Sequence, residues 1–157
     1  MSSPYAKSCY NTLMPIPAQP LDTSVCFRCG ECCKRYQVLL DAAEANRLSE
    51  HLGISLADFR TRYADPRWPG SDKLLLRQSS GACPFLHNSN KEFLCTVHKL
   101  KPGPCREWAA DLSKPECKRG LKSQWELTVD NTGCLQGASG DIRAFLEYHA
   151  RLSGEGD

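Results

Sequence analysis

The chain has 157 residues, 41% of them apolar and 24% charged, with a formal net charge of +2. That length suits one domain with a modest core, and the composition is that of a globular chain. No run approaches the ~20 apolar residues a bilayer crossing needs, the N-terminus lacks the basic start and apolar run of a secretory leader, and so small a charge gives no bulk attraction to nucleic acid or an anionic membrane. A cytoplasmic protein is the expectation. Ten cysteines in a reducing compartment are ligands or reactive thiols rather than disulfides; had a leader been removed, five disulfides would compete as an explanation.

Residues 1–25 hold Pro4, Pro15, Pro17 and Pro20 without a sustained period, which predicts an extended arm ahead of a single domain over 26–157. Cys9 in that arm reads as a lone thiol. The stretch Cys26-Phe27-Arg28-Cys29-Gly30-Glu31-Cys32-Cys33 follows. Four thiols so close together make poor packing and good ligands for a soft metal. Cys26 and Cys29 form a C-x2-C chelating half-site, with Gly30 free to take positive φ behind it. Cys32 repeats the step, whereas Cys33 must point elsewhere in any regular backbone. The doubled cysteine suggests two neighbouring centres, or one cluster with a spare thiol.

A short strand is expected over Tyr36–Leu40. Asp41 with Glu44 then signals a capping box for a helix carrying Ala42, Ala45, Leu48 and Leu52, stopped by Gly53. Ser55 with Asp58 starts a second helix, whose Leu56, Phe59 and Tyr63 share a face. His51 reads as a surface histidine. Leu74, Leu75 and Leu76 suit a buried strand, leading to Cys83-Pro84-Phe85-Leu86 and an exposed His87. Phe93–Val97 suggests a further strand bearing Cys95, pairing with the Leu74 run across the Asn88–Asn90 turn and bringing Cys83 and Cys95 to one end of a sheet.

Cys105 follows Pro104 into the first turn of a short helix, where unpaired amides favour a thiolate, and Arg106 could offset its charge. Trp108 is expected against the core. Cys117 lies in a polar segment whose Lys114, Lys118, Arg119 and Lys122 read as a wet surface rather than a phosphate-binding patch. Trp125–Val129 predicts a strand, Asp130–Gly133 a turn ahead of Cys134, and Asp141 onward a helix with Ile142, Phe145, Leu146, His149 and Leu152 on one face. His149 is expected to pack or sit at the rim. The fold class is α+β, a small irregular cysteine-rich metal-binding domain of short strands and three to four helices.

The ordered set Cys26-x2-Cys29-x2-Cys32-Cys33, Cys83-Pro84-Phe85-Leu86, Cys95-Thr96-Val97-His98, Lys101-Pro102 and Cys105-Arg106 resembles the YkgJ-type cysteine-cluster family of zinc- or iron-chelating domains. The resemblance spans roughly residues 26–117. It implies a small metal-chelating domain, found alone or attached to enzymes such as a flagellin lysine methylase, with Cys26, Cys29, Cys32, Cys33, Cys83, Cys95 and Cys105 as ligands and Cys117 as the eighth. The family usually has tyrosine where this chain has His98, which creates a C-x2-H pair with Cys95, and arginine where it has Lys101, which keeps the positive charge.

Eight thiolates would fill two closed zinc sites of four sulfurs each and carry the net charge from +2 to about −2. Such zinc is structural or concerned with metal handling. Iron is the alternative, as C-x2-C-x2-C with a distant Cys-Pro resembles the bacterial ferredoxin pattern for a [4Fe-4S] cluster, which would support an iron-dependent enzyme or redox protein. The chain carries no GxGxxG, P-loop, H-E-x-x-H or G-x-S-x-G signature, so any catalysis would reside in the metal centre. A nucleic-acid-binding zinc protein is the third class.

Overall fold

The structure is a computed structural model that describes residues 25–68, 72–90 and 92–154. The arm expected over residues 1–25, with Cys9, lies outside the described residues but for Val25. The elements run α1 Glu31–Arg35, β1 Leu39–Asp41, α2 Ala42–His51, α3 Leu56–Tyr63, β2 Lys73–Leu75, β3 Leu86–Ser89, β4 Glu92–Cys95, a 3-10 turn His98–Leu100, α4 Gly103–Arg106, α5 Pro115–Trp125, β5 Thr128–Val129, β6 Leu135–Gln136 and α6 Ser139–Gly154. The class is α+β, as expected, with six helices among the described residues rather than three or four. The unexpected ones are α1 and α5. None of these helices is long and apolar enough to cross a membrane. The strands form three antiparallel ribbons of two strands each, β1 with β2, β3 with β4 and β5 with β6.

The chain divides into two compact units, Gly30–Trp108 and Ala109–Asp157 together with the chain up to Cys29. In the first, the sequence signals for α2 and α3 are met atom for atom. Asp41 accepts from the Glu44 N–H at 2.7 Å and Glu44 returns the bond to the Asp41 N–H at 3.0 Å, a reciprocal cap that satisfies donors the helix cannot satisfy itself. Ser55 accepts from the Asp58 N–H at 3.0 Å, and Gly53 turns the chain between the helices at φ 68. Their apolar faces meet in a cluster of Leu40, Ala45, Leu48, Phe59, Leu76, Phe85 and Val97. β1 pairs with β2 in the register Leu39↔Leu75 and Leu40↔Leu74.

Two strand expectations need correction in this unit. Tyr36 does not begin a strand: its N–H closes α1 on the Cys32 carbonyl, and its ring stays 49% exposed. Trp108 stacks on that ring at 5.8 Å and belongs to neither buried cluster. The hairpin expected between the Leu74 run and Phe93–Val97 does not form. β4 pairs with β3, Leu86↔Cys95 through Ser89↔Glu92, because only two residues separate these strands and Asn90 takes the left-handed φ of 49 that a tight turn requires. The Leu74 run is engaged by β1 instead.

The second unit is built on Phe27, Ala110, Cys117, Leu121, Leu127, Ile142 and Phe145. Phe27 meets Phe145 edge to face at 5.5 Å, and Trp125 does so at 5.6 Å. The polar segment around Cys117, for which no element was expected, is α5, opened by a proline in its first turn. Its buried face is Glu116, Cys117, Gly120 and Leu121, a helical spacing masked by lysines on the other positions. α5 runs on to Trp125 and ends at Glu126 in the left-handed region at φ 55, which leaves only Thr128 and Val129 for the strand expected from Trp125 onward. The expected turn at Asp130 joins β5 to β6, and the final helix begins slightly earlier than expected, at Ser139.

Candidate metal centre

None of the eight cysteines expected as ligands is in a disulfide. Cys134 is not among them, being disulfide-bonded. In the first unit, α1 carries Cys32 and Cys33 at successive positions, about 100° apart around a helix, so they face different ways. Gly30 starts this helix at φ 72. A Cβ on Gly30 would lie 2.8 Å from the Phe93 ring, so the absence of a side chain lets the start of α1 press against β4. Lys34, a turn later, holds its ammonium 4.2 Å from the centre of the same ring. The Cys33 carbonyl accepts from the Cys83 N–H at 2.8 Å, which ties α1 to the turn leading into β3.

The β3–β4 register does the rest. Leu86 stands opposite Cys95, so the Cys83-Pro84-Phe85 turn lies beside the end of β4. The Leu86 N–H donates to the Cys83 carbonyl at 3.1 Å, and the backbone amides of Phe85 and Leu86 favour the Cys83 thiolate as that of Val97 favours Cys95. Such amides are what a chelating turn needs. Cys105 arrives on α4. Negative charge on Cys83, Cys95 and Cys32 acts directly on it, and Cys83 in turn feels Cys95 and Cys32. Coupling of this kind operates within about 10 Å. Cys32 on α1, Cys83 before β3, Cys95 at the end of β4 and Cys105 on α4 all belong to this unit.

Their protonation differs from the expectation at Cys105. Burial, then the neighbouring sulfurs, push that thiol up to about 12. Burial also raises Cys83 and Cys95. The expected help from a helix start is missing because α4 has four residues and the Cys105 N–H is already spent on the Pro102 carbonyl at 2.9 Å. Lys101 is the cation that opposes the rise, acting on both Cys95 and Cys105, as its retained charge predicts. Arg106 faces Glu44 at 3.8 Å instead. As the thiols stand, no three His, Cys, Asp or Glu side chains among the described residues form a group that could hold an ion. The donor set fits a soft metal, and losing protons to it is what would draw the sulfurs in.

In the second unit, Arg28 adopts φ 53 and donates its N–H to the Cys26 sulfur at 3.4 Å. Phe27, between the two cysteines, is 3% exposed and shares its cluster with Cys117 at 4%; Cys29 is 7% exposed. This unit thus holds Cys117 within its apolar cluster, and Cys26 and Cys29 on either side in sequence of Phe27, a member of the same cluster. His51, His87 and His98 are exposed. His149 is packed, 4% exposed, with Phe27 and Phe145 at 5.6 and 6.0 Å.

Sequence reasoning missed Glu44 as a residue of this region. Its capping role was legible, but its second oxygen accepts from the Gly103 N–H at 2.6 Å, a contact 59 positions away with no local signal.

A family model named CxxCxxCC, described as "Putative zinc- or iron-chelating domain", matches residues 25–135. No curated protein and no solved structure matches the chain.

Proposed function

The chain belongs to the CxxCxxCC family of metal-chelating domains, and on that premise we propose that Cys32, Cys83, Cys95 and Cys105 bind one zinc ion. In the same reading Cys26, Cys29 and Cys117 supply three thiolates to a second ion. The role is structural or metal-handling. One observation carries the proposal: backbone pairing draws these segments together, the Cys83 N–H donating to the Cys33 carbonyl at 2.8 Å and Leu86 standing opposite Cys95, with Cys105 raised by Cys83, Cys95 and Cys32.

A site closed by four thiolates leaves no open coordination position, which favours a structural ion over a catalytic one. The bound ion would contribute folding energy to a unit whose ribbons are only two strands wide. Lys101 offsets part of the thiolate charge at Cys95 and Cys105, and the nearby amides of Phe85, Leu86 and Val97 favour the thiolate forms of Cys83 and Cys95.

Elemental analysis with an absorption spectrum, on protein purified without oxygen, tests this reading. Zinc with a colourless spectrum is the expected result. A brown protein with broad absorbance near ~400 nm and acid-labile sulfide would replace zinc by an iron–sulfur cluster on the same cysteines. Protein that retains no metal would overturn the reading.

A further inference from the structure

We propose that Glu44 is a positioning residue for the Cys105 arm of the sulfur centre, holding the turn from which that thiol is delivered. The inference rests on the four-cysteine reading above and adds a residue outside the cysteine pattern. Glu44 is 7% exposed, more deeply placed than a helix cap requires, since a capping glutamate uses one oxygen and can stay in water. Here one oxygen caps the Asp41 N–H at 3.0 Å and the other takes the Gly103 N–H at 2.6 Å.

Gly103 lies between Pro102 and Pro104, neither of which has an N–H, so it is the one backbone donor of that tripeptide. Glu44 accepts it. A Cβ on Gly103 would stand 3.3 Å from the same oxygen, so the approach depends on glycine. Arg106, just past Cys105, closes the turn from the other side by donating to the Lys101 carbonyl and facing Glu44 at 3.8 Å. Cys105 therefore sits between two points fixed to one buried carboxylate, on a helix too short to hold its own geometry.

The test compares Glu44→Gln with Asp41→Ala. Glutamine keeps the volume but offers one carbonyl to two N–H donors, whereas Asp41→Ala weakens the same helix cap without touching Gly103. In cobalt-loaded protein, Glu44→Gln is expected to lose about a quarter of the thiolate-to-cobalt charge-transfer intensity, one ligand of four, and roughly tenfold in cobalt affinity. In metal-free protein, Cys105 should alkylate several-fold faster relative to Cys83, read by mass spectrometry. Asp41→Ala should do neither at a similar loss of thermal stability. If both variants lower the melting temperature alike while keeping the full charge-transfer band and the wild-type alkylation ratio, Glu44 is only a cap and the inference is wrong. Should Glu44→Gln fail to fold, Gly103→Ala decides, because it crowds the oxygen while leaving the carboxylate in place. Wild-type protein without a thiolate-to-cobalt band would remove the four-cysteine reading, yet the metal-free alkylation ratio would still judge Glu44.

Discussion

Gly30 and Gly53 occupy the same left-handed region, at φ 72 and 68, but a Cβ on Gly30 would strike Phe93 at 2.8 Å whereas one on Gly53 would meet nothing within 4 Å. Alanine at either position forces an L-residue into that region at about 1–2 kcal/mol. At Gly30 the clash adds about 1–3 kcal/mol. Denaturant unfolding should therefore show Gly30→Ala as the more destabilised variant, and equal losses would mean that α1 does not rest on Phe93. A second single-residue prediction concerns acid. The Asp130 carboxylate accepts from the Thr132 hydroxyl, the Cys134 and Thr132 N–H groups and the Gln136 amide, and these bonds, the Thr132 hydroxyl foremost, hold it down at about 2 against an ordinary 3.8. A folded-state value below the unfolded one contributes stability that is present above 3.8 and lost as pH falls toward 2. The stability advantage of wild type over Asp130→Asn should shrink across that window in an acid titration. A gap independent of pH would contradict the assigned bonds.

Among the elements, those with local signatures were legible and those defined by partners were not. Asp41 with Glu44 and Ser55 with Asp58 announced α2 and α3 because a cap is written within four residues. β3 was invisible because Leu86-His87-Asn88-Ser89 has no apolar alternation, and only its pairing with β4 makes it a strand. α5 was hidden by Gly120 and its lysines, although Cys117, Gly120 and Leu121 share its buried face. That face yields a contrast. Leu121, 2% exposed within the second cluster, should cost about 2–5 kcal/mol as alanine, with or without metal. Cys117→Ala should cost little in metal-free protein and far more after zinc loading, as seen in melting curves at both metal states. A cost that does not change with zinc would make Cys117 a packing residue alone.

For the molecule as a whole, the resemblance offered eight candidate thiols, none of them in a disulfide, but not which would share a centre. Cys32 with Cys33 showed only that neighbours must diverge. The proposal that Cys32, Cys83, Cys95 and Cys105 share an ion draws on the Leu86↔Cys95 register and the Glu44 bond to Gly103, both long-range and neither encoded locally. Because burial raises Cys83, Cys95 and Cys105, these thiols are protonated at neutral pH without metal. Zinc uptake at this centre should then release about four protons per ion, and affinity should rise with pH. Calorimetry in buffers of different ionisation enthalpy measures that release, and a count near zero would exclude thiolate ligation.

Metal-edge X-ray absorption on protein purified without oxygen tests the central claim most directly, compared between wild type and Cys95→Ser. The account predicts zinc in an all-sulfur shell near ~2.3 Å in wild type, with a light-atom scatterer entering or bound zinc falling in Cys95→Ser. A wild-type shell dominated by oxygen or nitrogen, or one unchanged by removal of Cys95, would contradict it.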